Sequence, residues 1–265
     1  MVRKLLFVNV AAVLVIAVTG PSAWAWAEGS VITWGTPTNI SGDSDVRTDG
    51  TLVAAFNMNG PAVTINGVTF ASFTYPFMAT TATNGNFTFT ESPGHLLAES
   101  TLGSGNAPFN SLSANYQSLL STAISTDDNN TLTLTISGLT LSQQYEFQWW
   151  VNASNYNGTG PGFRTTASAP NPVSLDDNTT NAIGGTGQYV IGTFTAGATT
   201  EIITFTGTDS TQAPTVNAFE LRAVPEPSTI ALFVIGTFLC VAPKLRRRWL
   251  RRSVRHLISD RFVLR

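Results

Sequence analysis

Segment 42–50 reads Gly-Asp-Ser-Asp-Val-Arg-Thr-Asp-Gly and sets three carboxylates close together among turn-forming residues. Carboxylate oxygens are the hard ligands that Ca²⁺ prefers. The segment is not an EF-hand loop, because Arg47 stands where an oxygen ligand is needed and no glutamate follows at the twelfth position. We predict a structural Ca²⁺ held by Asp43 and Asp45. The alternative is a solvated turn whose side chains cap their own backbone.

Two aromatic residues are candidates for stacking on sugar rings. Trp150 lies on the polar face of a predicted strand, and Tyr156 follows in the amide-rich segment 152–158. Loops and exposed sheet faces are the usual places for such contacts. We therefore predict glycan contact at Trp150 and Tyr156, and the alternative is that the rings pack under a loop or a second layer.

Catalytic chemistry has little support in the sequence. Residues 28–223 contain one histidine, His95, no cysteine and no lysine, and no G-x-S-x-G nucleophile motif occurs. We predict a protein that is not an enzyme. The alternative is a polysaccharide-acting enzyme, which would need two carboxylates about 5 to 10 Å apart.

The elements that must position these residues show a period of two. Segment 131–136 alternates Thr with Leu or Ile, segment 145–152 alternates aromatic and polar residues, and Asn66-Gly67 separates two β-branched runs as in a two-residue hairpin. Six further strands are predicted between Gly, Pro, Asn and Asp clusters, at 31–34, 52–57, 86–90, 189–195, 201–206 and 216–222. The pattern predicts an all-β fold, an antiparallel β-sandwich of jelly-roll-like form. One helix of about three turns is predicted from the spacing of Leu112, Tyr116, Leu119, Leu120 and Ile124.

Charge is distributed very unevenly along the chain. Residues 28–223 carry three arginines and fourteen carboxylates, a formal charge of −11, whereas residues 244–265 carry nine basic residues and one acid, a formal charge of +8. A body without a basic face is unsuited to nucleic acid. The contrast is typical of an exported body joined to a cytoplasmic basic tail.

The N-terminus has the features of a secretory signal peptide. A basic start is followed by an apolar run over 5–18 and by Ala25-Trp26-Ala27, which offers small residues to a signal peptidase. We predict a signal peptide over 1–27, with a retained anchor helix as the alternative. The single cysteine, Cys240, lies outside the exported body, so an ordinary core must stabilise that body.

The C-terminus combines an extended linker, an apolar run and a basic cluster. Val224-Pro225-Glu226-Pro227 leads into the thirteen residues of 230–242, which form about 20 Å of helix against a hydrocarbon core of about 30 Å. We predict one short membrane helix there, with Lys244, Arg246, Arg247 and Arg248 as its cytoplasmic stop.

This three-part order closely resembles the PEP-CTERM sorting signal of Gram-negative and related bacteria. The resemblance covers about twenty-five residues of the 265 and concerns a route, not an activity. It implies that Pro225, Glu226 and Pro227 are recognised and processed by a membrane protease-transpeptidase of the exosortase type, in hosts that often make exopolysaccharide. One departure is the continuation to Arg265, where 250–265 forms a predicted basic amphipathic helix suited to an anionic membrane surface. The alternative is a translated extension with no role.

Four segments follow from these observations: a signal peptide (1–27), an exported β-sandwich domain (28–223), a PEP-CTERM-like sorting signal (224–249) and a basic amphipathic tail (250–265). We expect an exported protein, anchored in the membrane at least transiently, and then found at the cell surface or in the extracellular matrix. Its expected role is structural or adhesive, with exopolysaccharide or another glycan as partner, and the alternative is a permanent membrane tether.

Overall fold

The computed structural model describes residues 30–127, 130–156, 163–168, 171–208 and 212–225. The predicted signal peptide, the membrane helix and the basic tail lie outside these ranges. Within them, no helix has both the length and the apolar character needed to cross a bilayer.

The described ranges contain seventeen strands, one α-helix and two 3₁₀ turns. The strands are β1 (Thr33–Trp34), β2 (Thr38–Asn39), β3 (Thr51–Met58), β4 (Val63–Ile65), β5 (Val68–Phe73), β6 (Thr81–Asn84), β7 (Phe87–Ser92), β8 (Leu96–Glu99), β9 (Ala123–Thr126), β10 (Thr131–Ser137), β11 (Gln144–Val151), β12 (Arg164–Ser168), β13 (Val173–Asp176), β14 (Gln188–Thr195), β15 (Thr200–Gly207), β16 (Thr215–Val216) and β17 (Ala218–Val224). The 3₁₀ turns are Asp43–Asp45 and Phe109–Ser111, and the helix is α1 (Ala114–Leu120).

Two large sheets face each other across a common core. The eight-stranded major sheet has the order β1-β14-β11-β17-β3-β5-β4, with β2 also paired to β14, and the six-stranded minor sheet has the order β13-β12-β15-β10-β7-β6. A three-stranded end sheet, β16-β9-β8, adds residues to the same core. Neighbouring strands are antiparallel except for β3 and β5. The predicted all-β sandwich of antiparallel sheets is confirmed, while its jelly-roll-like character stays a prediction.

The main core follows the period-two pattern of the strands. Leu132, Leu134 and Ile136 of β10 are at most 1% exposed, and their side chains face the major sheet within one apolar cluster. In β11, Phe147 and Trp149 are fully buried, and their rings meet Phe219 of the adjacent β17 and Phe205 of β15 in the opposite sheet. Burial of each such side chain contributes about 1.5–3 kcal/mol. This core therefore fixes which face of every strand points inward.

The other face of the major sheet carries a second core. Helix α1, the 3₁₀ turn at 109–111 and residues from segment 40–46 pack on it. Side chains of β4 and β5, at the edge of the same sheet, join this cluster, which includes Trp150 and Tyr116 at 0% exposure. Strand β11 is consequently buried on both faces over its second half. The molecule has three layers where a half-exposed sheet was predicted.

Helix α1 is shorter than predicted and ends before Ile124. Ser113 caps its first turn by accepting a hydrogen bond from the backbone NH of Tyr116 at 3.2 Å. Ile124 belongs instead to β9, where it pairs with Ala98 of β8 and Val216 of β16. Pairing on both sides of β9 outweighs the helical spacing, so the last turn of the predicted helix is wrong.

The Asn66-Gly67 hairpin is confirmed. Both residues have positive φ, 48° and 79°, and Ile65 pairs with Val68 in the flanking strands. Positive φ at both turn positions is what a type I′ turn requires.

The strand directions give the sandwich two distinct ends. The linker end contains Ser30, the turns at 138–143 and 196–199, and Val224, which pairs with Gln144 at the start of β11. The distal end is formed by the connections that follow β5, β7, β11, β13 and β15.

At the linker end, the two termini of the described body are connected by hydrogen bonds that run through Gly197, Ala196 and Gln143. The hydroxyl of Ser30 accepts from the backbone NH of Gly197 at 2.9 Å. The carbonyl of Gln143 accepts from the NH of Ala196 at 2.9 Å, and its side-chain amide donates to the carbonyl of Val224 at 2.7 Å. Ser30 and Val224 therefore lie on the same side of the body, away from the distal end.

Candidate functional site

Tyr156 lies at the distal end, in the connection that follows β11, and is half-buried. Its backbone NH donates to the carbonyl of Ala153 at 3.2 Å, which closes a turn soon after the strand. Its ring meets Phe163 edge-to-face, with centroids 4.4 Å apart and planes at 68°. Phe163 is also half-buried, so both rings leave part of their surface open to solvent.

Asn178 holds the backbone that carries this aromatic pair. Its side-chain amide donates to the carbonyls of Ala153 at 3.2 Å, Tyr156 at 3.4 Å and Ala182 at 2.9 Å. Its side-chain oxygen accepts from the NH of Thr180 at 3.1 Å. The turn at 176–178 thus includes a side chain that caps local backbone.

Asp177 connects the two aromatic segments through its backbone. Its NH donates to the carbonyl of Phe163 at 2.9 Å, and its carbonyl accepts from the NH of Ala153 at 2.8 Å. The side chain is 3% exposed, and its Oδ1, like Oδ1 of Asn181, has no hydrogen-bond partner within the described ranges. Burial, and then the charge of Asp176, raises the pKa of Asp177 well above its usual range. Two buried acceptors therefore lie in the segments that support the rings.

The prediction that Trp150 contacts a ligand is wrong. Trp150 is 0% exposed, its indole NH donates to the hydroxyl of Tyr116 at 2.9 Å, and its ring meets Phe70 edge-to-face at 5.6 Å. The period-two pattern placed it correctly on the face opposite the main core. That face is covered by the second core, so no surface remains for a sugar.

Asp45 serves the second core. Its carboxylate is 6% exposed and accepts from the NH and hydroxyl of Ser41, both at 2.7 Å, from the NH of Gly42 at 3.1 Å and from the hydroxyl of Tyr116 at 3.2 Å. Asp43 is exposed. Within the described ranges, no group of three or more His, Cys, Asp or Glu side chains could hold a metal ion. A Ca²⁺ at Asp43 and Asp45 stays a prediction.

Glu91 is a buried carboxylate that the sequence reasoning did not single out. It is 5% exposed, and its Oε1 accepts from the side-chain amide of Asn130 at 2.7 Å and from the NH of Asp127 at 3.3 Å. His95 Nδ1 lies 3.9 Å from Asp127 Oδ2. The available signal was the alternation of β7, which places Glu91 on the same inward face as two phenylalanines.

A second group of charges joins the segment before β3 to the major sheet. Arg47 Nε lies 3.0 Å from Glu146 Oε1, and Arg222 lies 3.3 Å from Glu220 Oε2 and donates to the carbonyl of Thr48 at 3.0 Å. Burial raises the pKa of Glu220 to about 7 against the opposing effect of Arg222. This network holds the segment in place and uses two of the three arginines of the body.

Of the residues predicted to form the sorting motif and its membrane stop, only Pro225 falls within the described ranges, where it is exposed directly after β17. Glu226, Pro227, Lys244, Arg246, Arg247 and Arg248 lie outside the described residues.

No protein-family model and no curated protein matches the sequence. The ANX1 ectodomain from Arabidopsis thaliana aligns at 14% identity over 67% of this chain and 51% of its own, with a TM-score of 0.41. The plant receptor-like kinase FER aligns at 14% identity over 65% of this chain and 42% of its own, with a TM-score of 0.39. Carbohydrate-binding modules of the β-sandwich superfamily align at 11% identity over 57% of this chain and 71% of their own, with a TM-score of 0.15. The chain thus spans about half of the two plant proteins, and similarities this weak do not bear on its function.

Proposed function

We propose that this is an exported surface or extracellular-matrix protein whose β-sandwich binds glycan at its distal end. The observation that carries the proposal is the Tyr156–Phe163 pair, two partly exposed rings at the end opposite the C-terminal linker. A protein held by its C-terminus presents that end to its surroundings. Aromatic surface beside a few fixed polar groups is the usual composition of a small-molecule site.

The polar surroundings of the rings suit a hydroxyl-rich ligand. Asp177 and Asn181 supply buried oxygens that have no partner within the described ranges, and the side-chain amide of Asn178 donates to the carbonyl of Tyr156. Buried polar groups left unpaired carry a free-energy cost that a hydrogen-bonding ligand can relieve. Sugar hydroxyls donate such bonds, and the apolar C–H face of a sugar ring can stack on Tyr156.

The route to the surface is proposed on sequence grounds. The Pro225-Glu226-Pro227 element, the apolar run and the arginine cluster resemble a PEP-CTERM signal, and an exosortase-type enzyme is the proposed processing partner. Pro225 supports this role because it is exposed and follows the last strand directly, where an enzyme can reach the chain.

Glycan binding is tested by probing the purified protein on a glycan array and measuring Kd for each hit. We expect Tyr156→Ala and Phe163→Ala each to weaken binding about tenfold, equivalent to roughly 1.4 kcal/mol. Phe77→Ala is the matched control, because Phe77 is an aromatic residue that is 78% exposed on a different distal connection. Unchanged affinity in both ring variants would exclude the site.

A further inference from the structure

The cluster around Glu91 brings together oxygen atoms from separate parts of the chain. Glu91 ends the inward face of β7, whereas Asp127 and Asn130 lie in the connection between β9 and β10. Oε1 of Glu91 is bonded to both of them, at 3.3 Å to the NH of Asp127 and 2.7 Å to the amide of Asn130. Two carboxylates and one side-chain amide therefore share a small volume at the distal end.

One oxygen of this cluster has no partner. Oε2 of Glu91 is inaccessible to solvent and accepts no hydrogen bond within the described ranges, although the residue is 5% exposed. A buried carboxylate oxygen without a donor is costly, because the carboxylate loses its hydration and gains nothing in return. Neither the core nor the aromatic pair requires an acidic group at this place.

Gly94 packs closely against the carboxylates of Glu91 and Asp127. A Cβ on Gly94 would lie 2.5 Å from Oε1 of Glu91 and 3.1 Å from Oδ2 of Asp127. The residue also has φ of +152°, which side-chain-bearing residues rarely adopt. The two carboxylates and the amide of Asn130 therefore lie close against Gly94, where a side chain would not fit.

We propose that this cluster binds a divalent cation, Ca²⁺, through Glu91 and Asp127. Carboxylate oxygens from both residues would form the charged part of the coordination sphere, and water would supply the ligands that the protein does not. Asn130 contributes its side-chain oxygen if its amide is turned over, since the assignment of amide N and O follows from the hydrogen-bond network. Among the described residues, His95 is a further titratable group near this cluster, with Nδ1 3.9 Å from Oδ2 of Asp127.

The cation would add a link between two parts of the distal end that already meet in the β7–β10 ladder, where Glu91 is opposite Leu132. It would tie the end of β7 to the connection that enters β10, and relieve the unpaired oxygen of Glu91. This role is independent of glycan binding at Tyr156 and of the Ca²⁺ predicted at Asp43 and Asp45.

The test is isothermal titration of CaCl₂ into the purified protein, together with Tm at increasing Ca²⁺. We expect a Kd on the order of 10⁻⁴ to 10⁻³ M, as for extracellular Ca²⁺ modules, and a Tm rise of about 3 °C at saturating Ca²⁺. Glu91→Gln and Asp127→Asn should each abolish the heat and the Tm rise. Asp43→Asn is the matched control and should retain both, because Asp43 is remote from this cluster and is bonded to Ser113.

Gly94→Ala supplies a variant that keeps every carboxylate but displaces the side chains of Glu91 and Asn130, so it should weaken Ca²⁺ binding. Circular dichroism of each variant without Ca²⁺ separates loss of binding from loss of fold, and Glu91→Gln should fold because it removes a buried charge. Absence of heat in the parent protein overturns the proposal, as does a Glu91→Gln variant that folds and binds Ca²⁺ with unchanged affinity. Loss of binding in Asp43→Asn alone would instead place the cation at Asp43 and Asp45.

Discussion

Glu220 is a carboxylate at 0% exposure on the face of the major sheet opposite the main core. Its Oε2 pairs with Arg222 at 3.3 Å, and its Oε1 has no hydrogen-bond partner within the described ranges. Burial disfavours the ionised form more than Arg222 favours it, so the pKa of Glu220 rises to about 7. Arg222 is itself held by the carbonyls of Thr48 and Asp49, at 3.0 and 2.6 Å. The buried Glu220 therefore lowers the free energy of unfolding at neutral pH, while Arg222 holds the segment before β3 in place.

The elevated pKa makes the free energy of unfolding depend on pH. Glu220 titrates near 4.5 in the unfolded chain and at about 7 in the folded protein, so between these values only the folded state holds the proton. The contribution of Glu220 to the free energy of unfolding is therefore fully present below about pH 4.5. It is lost as pH rises through 7, by about 3 kcal/mol. The pKa values of Asp177 and Glu201 are also raised by burial, which adds to the same trend.

We therefore expect a higher Tm at pH 5 than at pH 8, and a smaller difference in Glu220→Gln. Thermal unfolding followed by circular dichroism from pH 5 to 8 measures both. Glu99→Gln serves as control, since Glu99 is a partly exposed glutamate on β8, and it should keep the parental slope. An identical slope in Glu220→Gln and the parent would show that Glu220 is not the titrating group.

Trp150 shows the limit of a period-two pattern, which predicts the face of the sheet on which a side chain lies but not what covers that face. The alternation in β11 correctly separates Phe147 and Trp149 from Trp150. It contains no information on what covers the second face, because that depends on α1 and a hairpin far away in sequence. Tyr156 was identifiable from its loop composition, whereas its partner Phe163 is given only by the fold.

Helix α1 depends on its N-terminal cap more than a longer helix would. It has seven residues, and Ser113 both accepts from the NH of Tyr116 at 3.2 Å and donates to Asp43 Oδ1 at 2.6 Å. The cap therefore joins the helix to the 3₁₀ turn at 43–45 across the second core. An isolated helix this short is not stable in water, so packing and capping must hold it.

Ser113→Ala should lower the free energy of unfolding by about 1 kcal/mol, since it removes the cap and the link to Asp43. Urea unfolding measures this as a lower midpoint with an unchanged m-value. Ser111→Ala is the control, because that exposed hydroxyl makes only a 3.5 Å contact with Asn110. A midpoint equal to that of the control would mean that packing alone holds the helix.

Strong local signals predicted the elements, and long-range pairing decided the remainder. The Asn66-Gly67 turn and the alternation of 131–136 are local properties, and both were predicted. β8, β9 and β16 are short strands that pair between distant segments of the chain. All four residues of β9 are buried, so its sequence does not alternate between apolar and polar residues as a half-exposed strand does. Ile124 was misassigned for this reason. Glu91 was missed likewise, because its partners lie thirty-six or more residues away.

The two ends of the described body, at Ser30 and Val224, lie near each other, and the candidate sites lie at the other end. Ser30 and Val224 are connected through Gly197, Ala196 and Gln143, while Tyr156 follows the opposite end of β11. If the N-terminal and C-terminal apolar segments were both inserted in the membrane, the linker end of the body would face the membrane. The aromatic pair and the Glu91 cluster would face outward before and after processing.

Cleavage of the C-terminal signal should leave this body intact. Val224 is the last residue of β17, its carbonyl is bonded to Gln143 at 2.7 Å, and the exposed Pro225 follows. A cut at Pro225–Pro227 removes no ladder hydrogen bond of the described residues, so we expect the processed body to unfold at the same Tm as the full chain. Intact-mass spectrometry of the protein from its native host should find a C-terminus within 225–227 and an N-terminus near Glu28. A mature protein that still ends at Arg265 would contradict processing and indicate a permanent membrane tether.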